Sequence, residues 1–213
     1  MLKDQPPERS KSPRRSRDKF NEAPSKNSVC RPHEKGFPHM YVSRDVGVFN
    51  RCPNCGAGGI TFDGIKKLYC QECSFTLFHN VAAAVAAVLE YGEQIVLIKR
   101  SQEPGKGKLD LPGGFVDPDE SAEEAVRREI REELSMELGT LKYLGSSPNT
   151  YEYMGVTYKT CDLFFSSRID ALPKVFDKTE IEELVLAKPS EVPAEKIAFE
   201  SGRVCLSQLV QNV

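Results

Sequence analysis

Apolar runs typical of β-strands alternate along the chain with one strongly amphipathic segment. Residues 81–91 carry small apolar side chains, and residues 94–100 form a second apolar run after a Tyr-Gly-Glu turn. This pattern predicts a buried β-hairpin, and the first run is too short to cross a membrane. Three further runs predict strands, at residues 138–147, 150–169 and 182–188. A helical pattern follows at about residues 201–210.

The most distinct helix is predicted over residues 122–134. Ser121 and Glu124 form a capping box immediately before it. At about 100° per residue, five apolar side chains share one face of this helix, namely Ala122, Ala125, Val126, Ile130 and Leu134. Strands on both sides of a core helix, with another helix at the end of the chain, predict an α/β or α+β sandwich.

The glutamates of this helix do not lie opposite the apolar face, where solvated charges belong. Glu129 and Glu133 project within about 20° of Ala122, and Glu132 lies just beyond Ala125. They occupy the last turns, where the helix dipole disfavours carboxylates and like charges repel. Because all-oxygen anionic ligands select hard divalent cations, the pattern predicts a Mg²⁺ or Mn²⁺ site. The alternative is an exposed acidic helix with ordinary Glu–Arg pairs, which the inward placement disfavours.

A glycine turn precedes the helix. Residues 111–115 read Leu-Pro-Gly-Gly-Phe, and their bare backbone can approach a cation or phosphates closely. From Gly114 to Met136 the chain resembles the Nudix box of the Nudix hydrolases. Members of that family are metal-dependent enzymes that cleave the diphosphate link of nucleoside diphosphates joined to another group. The resemblance implies an α/β/α sandwich with a mixed sheet, which we assign to residues 80–213.

The same resemblance implies roles for individual residues. It gives Mg²⁺ four ligands, which are the carboxylates of Glu129, Glu132 and Glu133 and the carbonyl oxygen of Gly113. Arg128 would hold the glutamates in place, and Glu120 would support them or bind an additional metal ion. The family has glycine where this chain has Ser135. That glycine serves the turn that ends the helix, so the departure bears on local strain rather than on metal chemistry.

Two CxxC pairs lie before the Nudix-like region. Cys52 and Cys55 are separated from Cys70 and Cys73 by fourteen residues that contain a strand-turn-strand pattern. Four thiolates at this spacing predict a closed, structural Zn²⁺ site, and we assign residues 40–79 to a zinc ribbon. Disulfides would need an oxidising compartment, and a redox CxxC would not come as a pair. The other cysteines are expected to be ordinary residues, namely Cys30, Cys161 and Cys205.

A zinc ribbon directly ahead of a Nudix domain resembles the NADH pyrophosphatase branch. That resemblance implies a homodimer and places Glu180 at a further metal-binding glutamate, with Glu182 and Glu183 as rivals. The branch carries a Ser-Gln-Pro-Trp-Pro-Phe-Pro motif after the box, whereas residues 146–153 read SSPNTYEY and share only a serine and the proline. Tyr151 and Tyr153 are candidates to stack a base instead, the alternative being cross-strand packing.

Two basic residues and one proton acceptor complete the candidate site. Lys99 and Arg100 end a strand that leads to the glycine turn and are candidates to contact phosphate, although strand-end basic residues are commonly just solvated. Glu129 or Glu180 is a candidate general base. The predicted reaction is metal-dependent hydrolysis of a small nucleotide, with a dinucleotide such as NAD(H) as the first choice. ADP-ribose or a sugar nucleotide is the alternative substrate, and a nucleotide-sensing or RNA-associated module is the alternative class.

The first 39 residues differ in composition from the rest. They contain ten Lys and Arg against five Asp and Glu, many Pro and Ser, and few aliphatics, which predicts a disordered basic tail. Such a tail could bind nucleic acid, but a solvated tail is the simpler interpretation. These residues show neither an apolar signal segment nor the low Glu and Asp content of a transit sequence. We therefore expect a cytoplasmic protein with no membrane association.

Overall fold

The computed structural model describes residues 49–154 and 156–211. The predicted tail, Cys30 and the first part of the predicted ribbon lie outside the described residues.

A small antiparallel sheet comes first, in the order β1-β2-β3. Its strands are β1 (Ile60–Phe62), β2 (Lys67–Cys70) and β3 (Thr76–Phe78). The turn between the first two strands is closed by Asp63, whose Oδ1 accepts three backbone N–H bonds at 2.8 to 3.0 Å. Among the residues that the structure describes, Phe62 and Leu68 form the buried centre of its apolar cluster. A core of this size is too small to stabilise a module without a metal ion or another cross-link.

A second, seven-stranded sheet follows the small one. Its strands are β4 (Ala82–Tyr91), β5 (Gln94–Arg100), β6 (Leu109–Asp110), β7 (Gly113–Phe115), β8 (Lys142–Tyr153), β9 (Val156–Arg168) and β10 (Ile181–Ala187). The main order is β10-β5-β4-β9-β8, while β6 pairs with β5 and β7 pairs with β4. The sheet is mixed, because β4 and β9 run parallel and the other pairs are antiparallel.

Two helices cover the sheet, α1 (Ala122–Leu134) and α2 (Glu200–Gln211), with short 3-10 turns at Pro189–Glu191 and Ala194–Lys196. Val85, Ala87 and Leu89 of β4 belong to the core cluster that contains α1 residues, whereas Val88 belongs to the cluster that contains α2 residues. Because alternate strand residues point to opposite faces, the two helices lie on opposite sides of the sheet. The predicted α/β/α sandwich is therefore confirmed.

Most predicted elements are found where the pattern indicated. The buried hairpin is β4 and β5, and α1 has the predicted bounds together with its capping box. The single run expected over residues 150–169 is instead divided, because the chain turns between Tyr153 and Val156, which pair with each other. In the described part of the chain, the helices are all too short or too polar to span a membrane.

Candidate active site

A cavity of about 340 Å³ opens where the glycine turn meets the sheet. Its lining comes from strands β4 to β9, from helix α1 and the loop before it, from the loop before β10, and from the start of α2. Glu129, Glu133 and Glu180 line one part of it, and Arg100, Tyr151 and Phe199 line another. The structure thus brings together most of the residues that the sequence singled out.

The two glycines of the turn allow unusually close approaches. Gly113 has a φ of +148°, and a Cβ there would lie 2.1 Å from the carbonyl oxygen of Val85. A Cβ on Gly114 would lie 2.5 Å from a carboxylate oxygen of Glu129. A Cβ at Gly113 would collide with the β4 backbone, so β7 can pack against β4 there only with glycine, whereas a Cβ at Gly114 would require the end of the Glu129 side chain to move.

Glu133 is the most buried of the glutamates. It is only 5% exposed, and its Oε2 accepts the backbone N–H of Gly113 at 2.9 Å. Burial raises the pKa of Glu133 well above its ordinary value, and the charge of Glu129 raises that pKa further. An ionised carboxylate in this place therefore needs a cation beside it.

Glu129 lies at the cavity wall beside Arg128. Burial raises the pKa of Glu129, while the hydrogen bond from Arg128 opposes that shift and the charges of Glu132 and Glu180 add to it. Glu180 therefore lies close enough to Glu129 for its charge to act on that carboxylate.

Arg128 connects the acidic side chains. Its Nη1 donates to Glu129 at 2.8 Å and to Glu132 at 3.1 Å, and its Nη2 donates to Glu120 at 2.7 Å and to the Phe115 carbonyl at 3.0 Å. The hydrogen bond from Arg128 lowers the pKa of Glu120. Arg128 therefore occupies the position expected of a residue that orients the glutamates, and Glu120 is its anchor.

The remaining predicted acidic residues differ in placement. The Glu132 side chain is 60% exposed, further out than its predicted position near the apolar face, and it is not among the described residues that line the cavity. Glu180 lines the cavity. Its rival Glu182 forms an ion pair with Lys99 at 2.7 Å, and neither Glu182 nor Glu183 is among the described residues that line the cavity.

The donor set suits a hard divalent cation, because it consists of carboxylate oxygens and a backbone carbonyl. Among the described residues, the four cysteines form the one group of three or more potential ligands whose atoms all lie within 4.8 Å of one another. Glu120, Glu129 and Glu132 are instead bonded to Arg128, and Glu133 to the Gly113 N–H. Since the charge of one guanidinium does not match that of several neighbouring carboxylates, a cation would draw these flexible side chains together.

The two predicted basic residues have different surroundings. Arg100 lines the cavity, but its Nε donates to the Pro104 carbonyl at 2.8 Å and its Nη1 to Asp110 at 3.0 Å. Lys99 points to the other face and pairs with Glu182. Both residues are thus already paired with carboxylates, and their predicted contact with phosphate stays a prediction.

The aromatic candidates form a cluster at the cavity. The Tyr151 ring contacts Phe115 at 5.4 Å and Phe199 at 5.6 Å between centroids. Tyr153 is 51% exposed and lies 6.4 Å from Tyr151. Tyr151 is thus placed to contact a ligand in the cavity, whereas Tyr153 lies further towards the exposed end of the β8–β9 hairpin.

Several polar residues of the cavity were not predicted from sequence. Asp162 lies on β9 and accepts hydrogen bonds from Thr160 and from Ser201 of α2, both at 2.5 Å. Asp110 pairs with Arg100, and burial raises the pKa of Asp110 to about 6 although Arg100 opposes the shift. Aspartates are rare in strand interiors, and that rarity was the available signal for both.

The four ribbon cysteines are close enough to share a metal ion. Their sulfurs lie within 4.8 Å of one another, with Cys52 to Cys73 at 3.6 Å and Cys55 to Cys70 at 3.7 Å. A tetrahedral site with bonds of about 2.3 Å requires sulfurs about 3.8 Å apart. The hydrogen bond from Asn54 lowers the pKa of Cys73 to about 6, which favours the thiolate that a metal needs.

The sequence of the chain is similar to those of known proteins. It is 33% identical over 95 residues to the NAD-capped RNA hydrolase NudC of Pseudomonas syringae pv. tomato, and to that of Pseudomonas fluorescens, over 45% of this chain and 34% of theirs. The chain thus spans about a third of the length of these curated relatives.

Solved structures agree on the fold. A MutT Nudix hydrolase from Burkholderia pseudomallei is 27% identical with a TM-score of 0.54, over 61% of this chain and 98% of that one. A Nudix hydrolase from Nitrosomonas europaea is 21% identical with a TM-score of 0.54, over 76% and 91%. A family model described as NUDIX domain matches residues 79–207, which is more than half of the chain. The chain therefore belongs to the Nudix family.

Proposed function

We propose that this protein is a divalent-metal-dependent hydrolase that cleaves the diphosphate bond of a nucleoside diphosphate linked to another group. The observation that carries the proposal is the placement of the buried Glu133 and the partly buried Glu129 against the Gly113–Gly114 turn, at the wall of a cavity large enough for a nucleotide. Family membership supports the same reaction class.

Each acidic residue has a distinct task in this proposal. Glu129, Glu132 and Glu133 hold Mg²⁺ or Mn²⁺ together with the Gly113 carbonyl, and Glu180 adds a ligand from the opposite loop. Such an ion would neutralise charge on the diphosphate and would lower the pKa of a water molecule. Arg128 keeps Glu129 and Glu132 oriented, with Glu120 as its anchor. Glu129 or Glu180 accepts the proton of the attacking water.

The ribbon has a structural role in this proposal. Four cysteine thiolates leave no open coordination position, so a bound Zn²⁺ would stabilise the small module and take no part in hydrolysis. The sulfur distances and the small apolar centre of the ribbon support this assignment.

A dinucleotide such as NAD(H) is the proposed substrate. The curated relatives are NAD-capped RNA hydrolases, and the cavity offers aromatic faces at Tyr151 and Phe199 to a flat ring. ADP-ribose or a sugar nucleotide is the second candidate. It is favoured by residues 146–153, which lack most of the motif that follows the box in the NADH pyrophosphatase branch.

A hydrolysis panel tests the proposal. The full chain is incubated with NADH, NAD⁺, ADP-ribose, an NAD-capped RNA and a nucleoside triphosphate, with Mg²⁺ or with a chelator. We expect Mg²⁺-dependent release of two mononucleotides from NADH or NAD⁺. Preference for ADP-ribose would support the second candidate, and preference for capped RNA over free NAD⁺ would support an RNA-associated enzyme. Tight binding of a nucleotide without products would contradict hydrolysis and support a sensing module.

A further inference from the structure

We propose that the inner end of the cavity is a binding subsite for a flat heteroaromatic ring that presents N–H donors. The subsite consists of an acceptor floor, defined as Thr160, Asp162 and Ser201, beside an aromatic wall of Tyr151 and Phe199. This inference rests on the proposed function, because the remainder of the nucleotide would extend from this end to the glutamates.

The floor can only accept further hydrogen bonds. Asp162 is 9% exposed, and each of its carboxylate oxygens takes the proton of one hydroxyl, from Thr160 and from Ser201. A hydroxyl has one proton to donate, and an ionised carboxylate has none. With both protons already used, every lone pair that the floor still offers to the cavity is an acceptor. A ligand edge that meets it must therefore carry N–H or O–H groups.

The sequence leaves room above this floor. Ala84 and Ala86 of the central strand line the cavity on the same side as the floor, and both are partly exposed although the neighbouring Val85 and Ala87 are buried. Larger β-branched residues are typical of such a strand. The small alanine side chains thus leave space that a ring can fill.

The aromatic wall favours a planar occupant. Tyr151 and Phe199 are inclined by only 35°, so they present similarly oriented ring faces. The Arg100 guanidinium lies 5.0 Å from the Phe199 ring and is also bonded to Asp110 and to the Pro104 carbonyl. Arg100 is therefore a positioning residue that fixes Phe199 and Asp110.

The charge of this end disfavours phosphate. Arg100 is the one basic residue among the described residues that line the cavity, and Asp110 neutralises it. Asp162 adds a further negative charge. A phosphate group would be repelled here, whereas an uncharged ring with an amine or a carboxamide would donate to the lone pairs that the floor still offers beside its own hydroxyl bonds. In a dinucleotide of the proposed class, the adenine amine and the nicotinamide carboxamide both have this chemistry.

Binding of mononucleotides to the full, zinc-loaded chain with Mg²⁺ tests the subsite by calorimetry. AMP is compared with purine riboside 5′-monophosphate, which lacks the amine, and nicotinamide mononucleotide with nicotinic acid mononucleotide, which lacks the carboxamide. We expect the donor-bearing member of one pair to bind at least about tenfold more tightly, because its N–H group meets acceptors whose own hydroxyl protons are already bonded to Asp162, whereas the analogue offers them no donor. Discrimination within the first pair identifies the amine as the donor, and within the second pair the carboxamide.

The variant Asp162→Asn is expected to remove that discrimination, because an amide can donate where the carboxylate only accepts. Asp170→Asn, at an exposed position, is the matched control and should leave the discrimination unchanged. Equal affinities within both pairs on the unmodified chain would overturn the inference, and so would discrimination that persists in a folded Asp162→Asn variant. The analogue comparison on the unmodified chain needs no variant to fold. Since binding is measured directly, an absence of hydrolysis would contradict the proposed function without deciding this test.

Discussion

Glu133 is the residue whose environment is hardest to explain without a cation. Its carboxylate is buried, and among the described residues its hydrogen-bond donor is one backbone N–H, that of Gly113. A single neutral hydrogen bond does not offset the desolvation of a charge. Its neighbour Glu129 is repelled by the same group of carboxylates. The two residues together are therefore costly in the free protein and well suited to a protein that binds Mg²⁺.

Replacing the box glutamates by glutamine separates chemistry from folding. We expect Glu132→Gln and Glu133→Gln each to lower kcat by roughly two orders of magnitude or more, because a neutral amide is a poor ligand for Mg²⁺. The Gly113 N–H keeps an acceptor in Glu133→Gln, so the fold should persist. Steady-state kinetics and circular dichroism provide the two readouts. Glu137→Gln removes an exposed ion pair with Arg131 and serves as the control. Near-normal turnover in both box variants would refute the metal assignment.

Asp110 should make stability depend on pH. Its pKa is raised to about 6 in the folded protein, from an ordinary value of 3.8, mainly by burial. Between these values the folded state binds more protons than the unfolded state, so this residue contributes less stability as pH rises through that window. Relative to Asp110→Asn, the unmodified chain should therefore gain about 1 kcal/mol on going from pH 7 to pH 5.

Urea unfolding at both pH values measures this difference. Because the comparison is between the unmodified chain and the variant at each pH, the titration of other groups cancels to a first approximation. An equal change in stability for the two proteins would contradict the assigned pKa.

At the scale of elements, the C-terminal end of α1 carries the departure from the family pattern. Ser135 is the C-cap with φ 52° and ψ 39°, and its N–H donates to the Arg131 carbonyl. This left-handed conformation is disfavoured for a residue with a Cβ and easy for glycine. The strain expected from the sequence therefore lies at one residue outside the helix, away from the cavity.

Ser135→Gly should stabilise the protein. We expect a gain of about 0.5–1 kcal/mol in the free energy of unfolding, because relief of the left-handed strain exceeds the entropy that glycine adds to the unfolded chain. Chemical denaturation is the measurement, and kcat should not change. As a control, Ser121→Gly at the other end of α1 should destabilise, since Ser121 makes the capping box. A loss of stability in Ser135→Gly would show that the serine is not strained.

The sequence predicted the elements that depend on local pattern. The helix α1 is delimited by its own capping box and apolar stripe, and the β4–β5 hairpin by a short turn. The floor residues Asp162 and Ser201 could not be found this way. They are 39 positions apart and meet only because α2 packs on the sheet near β9. Likewise, the commitment of Arg100 to Asp110 depends on pairing between β5 and β6.

At the scale of the whole molecule, the two parts of the chain differ in the size of their apolar cores. The Nudix domain has extensive apolar clusters on both faces of its sheet, whereas the ribbon has a minimal one. The cysteine spacing predicts this division between residues 40–79 and 80–213, and it stays a prediction in which four thiolates would replace the core that such a module lacks. The predicted homodimer, the basic tail and the cytoplasmic location remain predictions.

Metal analysis tests the role of the ribbon. We expect one zinc ion per chain, and its loss in Cys70→Ser, because the remaining three sulfurs leave the tetrahedral site incomplete. Amide hydrogen exchange should then accelerate across residues 60–78 and stay slow in β4 and α1, since the Nudix core does not depend on the thiolates. Cys161→Ser, outside the cysteine cluster, should retain zinc. Full zinc content in Cys70→Ser would contradict the four-cysteine site.

The most direct measurement of the central claim is the product analysis of NADH cleavage in oxygen-labelled water, with Mg²⁺ and with a chelator. Metal-dependent hydrolysis predicts two mononucleotides, with one labelled oxygen in a phosphate group of the pair, and no products when the metal is removed. Products that form equally in the presence of the chelator would contradict the role given to Glu129, Glu132 and Glu133. Intact NADH, together with intact alternatives from the substrate panel, would contradict hydrolysis itself.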